Sequence, residues 1–334
     1  MAIVRTPFHW CVLVTAIAFF YFLPVLGLYD VIVFLNYVNI LVIVALGLQM
    51  VTGYCGQVSF GQAAFMAVGA YSCAILKSYF GINFWVLLPL SGIIAGIIGV
   101  IGGAASLRMK GFYLAMASIA IHFVIMWLIV HLNFTGGTTG LSVSPPQIGN
   151  IFLDTDERMY YIILSVMLIL TYSARNVVRS KVGRAFVAVR DNDLAAEVMG
   201  INVYYYKMLA FFVSCFYAGV GGCLWAHWIM VVHAEQFTFL NALWLLGMLI
   251  VGGMGSIPGV FFGVISIRLL EEFVLYISPV LASNFSWLGL APAASLGVMA
   301  FGLIMVLFLI VEPRGIAHRW EIMKASFRLR PFSR

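Results

Sequence analysis

A polar stretch at residues 181–202 interrupts an otherwise apolar sequence and carries the residues best suited to a specific interaction. Asn192 can cap a short helix there, and Gly200 can end it, because glycine adopts the left-handed backbone conformation without strain. The apolar residues of this helix share one face, and two acidic residues are offset from it: Leu194, Ala195, Val198 and Met199, with Asp193 and Glu197. Such a helix can dock into a groove of another protein, and a solvated loop without a partner is the alternative.

Residues that could catalyse a reaction are scarce and scattered. The chain has 12 Asp and Glu and 6 His, which form no convergent acid–base set. It contains no Gly-Lys dipeptide and hence no phosphate-binding P-loop, so we predict that it is not an enzyme and has no ATPase site of its own. Its five cysteines include no Cys-x-x-Cys pair, which indicates neither a disulfide framework nor a metal site.

Ionisable residues in apolar segments would indicate ion-coupled transport or a proton relay. His122 lies in the middle of one such segment, where a hydrogen-bonded packing role is commoner than a functional one. We expect four further ionisable residues to lie near helix ends: Lys77, Arg268, Glu271 and Glu272.

The composition places the chain in a membrane. Hydrophobic residues make up 63% of it and charged residues only 9%, whereas soluble domains have about 25% charged residues. The 18 Lys and Arg exceed the 12 acidic residues, but they are confined to loops and tails, so they indicate cytoplasmic loops rather than nucleic-acid binding. The sequence therefore predicts an all-α polytopic protein surrounded by lipid.

We predict about ten transmembrane helices, some of them broken by Gly or Pro, with both termini cytoplasmic. A single transmembrane domain covers residues 1–311, and a basic cytoplasmic tail covers 312–334. The loop at 133–158 has one basic residue and is placed outside, whereas the loop at 175–207 is rich in Arg and Lys and is placed inside. The predicted spans are 10–28, 31–51, one ending near 80, 84–105, 113–132, 159–174, one ending near 232, two within 241–278, and 293–311.

Several motifs, in this order along the chain, resemble the permeases of branched-chain amino acid ABC transporters. The polar stretch matches the coupling-loop motif of that family through Gly183-Arg184-Ala185 and Arg190-Asp-Asn-Asp193-x-Ala195-Ala196-x-x-x-Gly200. Asp193 replaces the Glu that is more usual there and keeps the charge. The other matching blocks are Gly53-Tyr-x-Gly56-x-Val-Ser59-Phe-Gly61-Gln62, Leu107-Arg108-x-Lys110-Gly111-x-Tyr113, Gly136-Gly-Thr-Thr-Gly140-Leu141, Gly252-Gly-Met-Gly255-Ser and Glu312-Pro313-Arg314-Gly315.

The resemblance implies a LivM-type pore subunit of an importer in the bacterial cytoplasmic (inner) membrane. Its partners would be a homologous LivH-type permease, two cytoplasmic ABC ATPases and a periplasmic or lipid-anchored substrate-binding protein. The chain would bind no cofactor, since the ATPases bind the ATP. The residues expected to couple the chain to an ATPase are Arg184, Arg190, Asp193, Ala195, Ala196, Glu197 and Gly200.

The substrate pathway is expected at two segments where Gly or Pro breaks the helical pattern, since freed backbone groups require a polar cavity. Its candidate residues are Gly53, Gly56, Gln57, Ser59, Gly61, Gln62, Gly252, Gly253 and Gly255. The alternative is that these glycines and amides serve tight helix packing. For function, the alternatives are a urea or short-amide permease of the same family and an ion-coupled secondary transporter.

Overall fold

The computed structural model describes residues 7–106, 111–148, 151–284 and 315–329, with a few isolated residues between 299 and 310. The α-helices are α1 Pro7–Phe22, α2 Tyr29–Leu48, α3 Gln62–Phe80, α4 Phe84–Ser106, α5 Phe112–His131, α6 Asp156–Arg179, α7 Lys181–Asp191, α8 Asp193–Val198, α9 Val203–Ile229, α10 Phe239–Gly252, α11 Ile257–Asn284 and α12 Ile316–Leu329. A π-helix, Gln49–Tyr54, extends α2, and short 3-10 helices occupy Leu23–Leu26, Asn133–Thr135 and Ala234–Phe237.

Helix α9 lies at the centre of the described fold and packs against α2, α3 and α4. Glycines bring two of these backbones into contact, because a Cβ at Gly69 of α3 would lie 2.3 Å from the Cα of Gly219 of α9. Helices in lipid associate through this kind of close backbone approach, since burial of apolar surface gives little drive between them.

At one end of the molecule, which we call the strand end, short strands connect the loop between α5 and α6 to the segment after α9. Strand β1, Leu141–Ser142, pairs antiparallel with β4, Val231–Val232, and β2, Gln147–Ile148, pairs with β3, Ile151–Phe152. The Asp156 carboxylate at the start of α6 accepts hydrogen bonds from the Tyr29 hydroxyl and the Trp228 indole nitrogen. The opposite end carries α7 and α8 and is called the α8 end.

Within the described residues, seven helical segments are long and apolar enough to cross a membrane. They are Tyr29–Tyr54, Gln62–Phe80, Phe84–Ala104, Phe112–His131, Asp156–Arg179, Val203–Ile229 and Ala234–Gly252. A mostly helical, multi-pass fold is confirmed, whereas the number ten and the cytoplasmic termini stay predictions. The predicted span 293–311 and the motif residues Leu107-Arg108-x-Lys110 and Glu312-Pro313-Arg314 lie outside the residues with described structure.

The structure corrects three details of the sequence interpretation. The sixth apolar helix continues to Arg179 rather than ending at 174. The polar stretch forms two helices, because α7 buries Ala185, Phe186 and Val189 at helical spacing. Arg268 and the two acids after it occupy the middle of α11, not a helix end.

Candidate functional site

The short helix predicted in the polar stretch is confirmed as α8. The Asn192 side-chain oxygen accepts a hydrogen bond from the Ala195 N–H at 3.1 Å, which satisfies a free donor of the first turn. At the other end, Gly200 has φ +83°, and Ile201 N–H donates to the Ala196 carbonyl. These local bonds define a helix of six residues, Asp193–Val198.

The apolar face of α8 is turned away from the rest of the described chain. Leu194 is 65% exposed, Val198 88% and Met199 82%. Ala195 and Glu197 are also exposed, and Ala196 is the buried residue that packs the helix onto the protein. Exposed apolar groups gathered on so short a helix are typical of a surface that binds another protein.

Ionic and polar contacts fix α8 and α7 to the transmembrane helices. The Lys207 ammonium at the start of α9 lies 3.6 Å from the Asp193 carboxylate. Arg190 of α7 donates from Nη1 to the Gly53 carbonyl at 3.2 Å, and its Nε and Nη2 bond to the Asp191 carboxylate. Arg184, in contrast, is exposed. These contacts connect α8 to α9 and α7 to the end of α2.

The two glycine-rich breaks meet each other at the α8 end. A Cβ at Gly53 would lie 2.7 Å from Gly255 N, and Gly56, at φ +73°, lies against the Arg190 side chain. The Gln49 amide nitrogen ties the second break to α2 by donating to the carbonyls of Gly253 at 3.3 Å and Ser256 at 3.0 Å. We call this group the glycine junction: Gly53, Gly56, Gly253 and Gly255 with Gln49 and Arg190. Gly252 is buried beside it against Gly259.

The polar residues of the first break have different surroundings. Gln62 donates to the carbonyls of Val44 and Ser214 and accepts from the Ser214 hydroxyl, so it bonds three helices together. Ser59 is buried and accepts from the N–H of Gly61, which is buried beside it. Gln57 is 3% exposed, yet its side-chain amide has no hydrogen-bond partner among the described residues. Of these three polar side chains, Gln57 is the one whose buried amide is left unpaired by the described residues.

Sequence reasoning missed a buried cluster on α3 and α9. The Sγ atoms of Cys73 and Cys223 lie 3.1 Å apart, and His227 Nδ1 is 3.4 Å from the Cys73 sulfur. The same His227 nitrogen lies 3.0 Å from the Cys223 carbonyl, one helical turn earlier. No spacing pattern could reveal this group, because 150 residues separate the two cysteines.

His122 is a second buried histidine, 1% exposed in α5. Its ring packs against the rings of Phe123 and Phe239. This environment fits a packing role, but the expected hydrogen bond is missing at Nδ1, which is buried with no partner among the described residues.

These features define a multi-pass helical membrane protein with a short amphipathic helix exposed at one end. The chain belongs to the family described as the permease component of branched-chain amino acid transport systems, whose sequence profile matches residues 31–309. It is a transport permease subunit.

Its relatives agree with that assignment. The chain is 29% identical over 302 residues to the high-affinity branched-chain amino acid transport system permease protein LivM of Escherichia coli, covering 83% of this chain and 67% of the relative. It is 25% identical to a probable LivM permease of Methanocaldococcus jannaschii, with 82% and 89% covered, and 26% identical to a probable LivH permease of that organism, with 86% and 92% covered. No solved structure matches the chain.

Proposed function

We propose that this chain is the LivM-type permease subunit of an ABC importer for leucine, isoleucine and valine in a bacterial inner membrane. A LivH-type permease would complete the pore, two cytoplasmic ATPases would bind ATP, and a periplasmic or lipid-anchored protein would deliver the substrate. The names of the relatives support the amino acid class and the presence of two kinds of permease.

The observation that carries the proposal is the exposed apolar face of α8. Three large apolar side chains there have no cover within the described chain, and burial of such groups drives protein association. An ATPase groove that covers Leu194, Val198 and Met199 would hold α8, and closure of the ATPase pair would move it.

Two routes carry this movement into the membrane. The Asp193–Lys207 ion pair transmits it to α9. The Arg190 bond to Gly53 transmits it to the glycine junction, where α2 and α10 end. The pathway residues at 53–62 and 252–255 would then change their packing as the pore switches from outward-facing to inward-facing, with the Gln57 amide as the first candidate contact for substrate.

Transport by the assembled complex in membrane vesicles tests this function. Uptake of radiolabelled leucine should require ATP and the binding protein. Uptake of urea in place of leucine would contradict the amino acid assignment, and uptake driven by an ion gradient without ATP would contradict the ATPase partners.

Substitutions on α8 test the docking surface. Val198→Asp with Met199→Asp places two charges on exposed positions and should abolish both copurification of the ATPases and leucine uptake. Ile322→Asp is the matched control, because Ile322 is 52% exposed on α12 and lies outside the proposed surface. Wild-type transport by the α8 variant would refute docking at this helix.

A further inference from the structure

A cavity of about 180 Å³ extends from the strand end into the middle of the molecule. Its wall combines aromatic and apolar side chains from four helices with polar groups, among them Tyr37, Trp225, Asn241, Trp244, Met248 and Glu271. Cavities for drug-sized ligands begin at about 300 Å³. The smaller volume suits a ligand the size of one free amino acid.

A group of charged side chains borders this cavity. Arg268 Nη1 bonds to the Glu271 carboxylate, and its Nη2 donates to Glu272 at 3.3 Å. The guanidinium lies 4.0 Å above the ring of Tyr37, which lines the cavity. Although the Arg268 side chain is only 9% exposed, its Nε has no hydrogen-bond partner among the described residues.

Charged groups inside a membrane segment are costly and are retained chiefly for function. Glu271 comes 14 positions after the start of α11, which places it about 21 Å along the helix from the α8 end. The group therefore lies near the middle of α11, away from both ends of the helix. Glu271 presents its carboxylate to the cavity. The Arg268 guanidinium lies behind that carboxylate and behind the Tyr37 ring.

We propose that this cavity binds the zwitterionic amino acid as it passes through the permease. The Glu271 carboxylate holds the ammonium group, and Arg268 fixes that carboxylate in place from behind. The apolar wall, which includes Trp225, Trp244 and Met248, encloses the branched side chain, so that each further buried methylene favours binding. This inference rests on the proposed amino acid transport function.

The charged group beside this cavity distinguishes an amino acid from urea or another short neutral amide. A short neutral amide carries no positive charge to pair with the Glu271 carboxylate. The ammonium group of an amino acid supplies that charge.

Glu271→Gln in the assembled complex tests the proposal in vesicles. We expect at least a tenfold rise in the KM for leucine, while ATP hydrolysis stimulated by the binding protein stays near the wild-type rate. Inhibition by 4-methylpentanoate, which lacks the ammonium group, should become stronger relative to inhibition by leucine, a change that a purely structural role would not produce. Glu272→Gln is the matched control, because its carboxylate is 50% exposed and Glu272 is not part of the cavity wall.

An unchanged KM and an unchanged preference for leucine over 4-methylpentanoate in Glu271→Gln would overturn the proposal. If that variant fails to assemble, Met248→Trp tests the site instead, because it fills the cavity from an uncharged wall residue. Leucine uptake should then fall at least tenfold with stimulated ATP hydrolysis retained, and wild-type uptake would refute the site. ATP-dependent leucine uptake by the wild-type complex is measured alongside, and its absence would instead contradict the proposed function.

Discussion

At Gly56, the backbone conformation and the space around the residue both exclude a side chain. Its φ is +73°, and a Cβ would lie 2.7 Å from the Arg190 Cγ. Gly56→Ala should therefore lower the free energy of unfolding by about 1–2 kcal/mol through left-handed strain and by a further 1–3 kcal/mol or so through overpacking. Thermal unfolding in detergent measures the loss.

Gly200 supplies the control for this change, since it has φ +83° but a Cβ there would have no other atom within 4 Å. Gly200→Ala should show the conformational strain alone, so its melting temperature should be higher than that of Gly56→Ala. Equal melting temperatures would show that the contact between Gly56 and Arg190 does not contribute to stability.

Two buried glutamines of the same segment differ in their hydrogen bonds. Gln62→Leu removes three bonds to Val44 and Ser214 and should lower the free energy of unfolding by about 1–3 kcal/mol. Gln57→Leu removes no side-chain bond to a described residue, so its stability should stay close to that of the wild type. If Gln57 contacts the substrate, leucine uptake by its variant falls without a fall in melting temperature. A variant that keeps wild-type uptake would remove Gln57 from the pathway.

At the scale of elements, the contact between α3 and α9 places two thiols within reach of each other. Cys73 and Cys223 are free and buried, with sulfurs 3.1 Å apart. Diamide accepts two electrons and two protons from a thiol pair and should convert them to a disulfide. Thiol titration after denaturation should then find two fewer thiols than in the untreated protein.

Two variants check this cross-link between the helices. Cys73→Ser should lose no thiol on diamide treatment, and Cys215→Ser should still lose two, because Cys215 is buried elsewhere on α9. Loss of two thiols from Cys73→Ser would contradict the pairing of α3 with α9 at this position.

Elements with local signals were predictable, and contacts between distant segments were not. The cap at Asn192 and the left-handed Gly200 act within a few residues, so the sequence predicts α8 closely. The buried spacing of Ala185, Phe186 and Val189 was equally readable and would have predicted α7. The glycine junction was different, because each break was visible alone while their contact depends on how α2 and α10 pack.

The charged group in α11 shows why some positions need the tertiary structure. Arg268 and the two acids were expected near a helix end, where water solvates charges. In the fold, Glu271 and Glu272, one turn further along the same helix, neutralise Arg268. Its guanidinium also stacks on the Tyr37 ring. The spacing of residues along α11 gives no information about the Tyr37 ring, because α2 contributes it.

At the scale of the whole molecule, the described part of the tail returns to the α8 end. A Cβ at Gly315 would lie 2.5 Å from the Gly253 Cα, and the Trp320 ring lies 5.9 Å from that of Phe262. Helix α11 has 28 residues and spans about 42 Å, so its last residue, Asn284, is far from Gly315. A return crossing, such as the one predicted at 293–311, would connect these two points.

Cysteine labelling on the two faces of the membrane tests this topology. Thr138→Cys lies in the loop at the strand end, whereas Val198→Cys and Met323→Cys lie on exposed positions of α8 and α12. The positive-inside rule places the Arg- and Lys-rich α8 end in the cytoplasm. A membrane-impermeant maleimide should therefore label Thr138→Cys in intact spheroplasts and the other two variants only in inside-out vesicles, with the unsubstituted protein as background. Labelling of Met323→Cys together with Thr138→Cys would place the tail outside and, if the N-terminus is cytoplasmic, require an odd number of spans, because each crossing changes the face on which the chain lies.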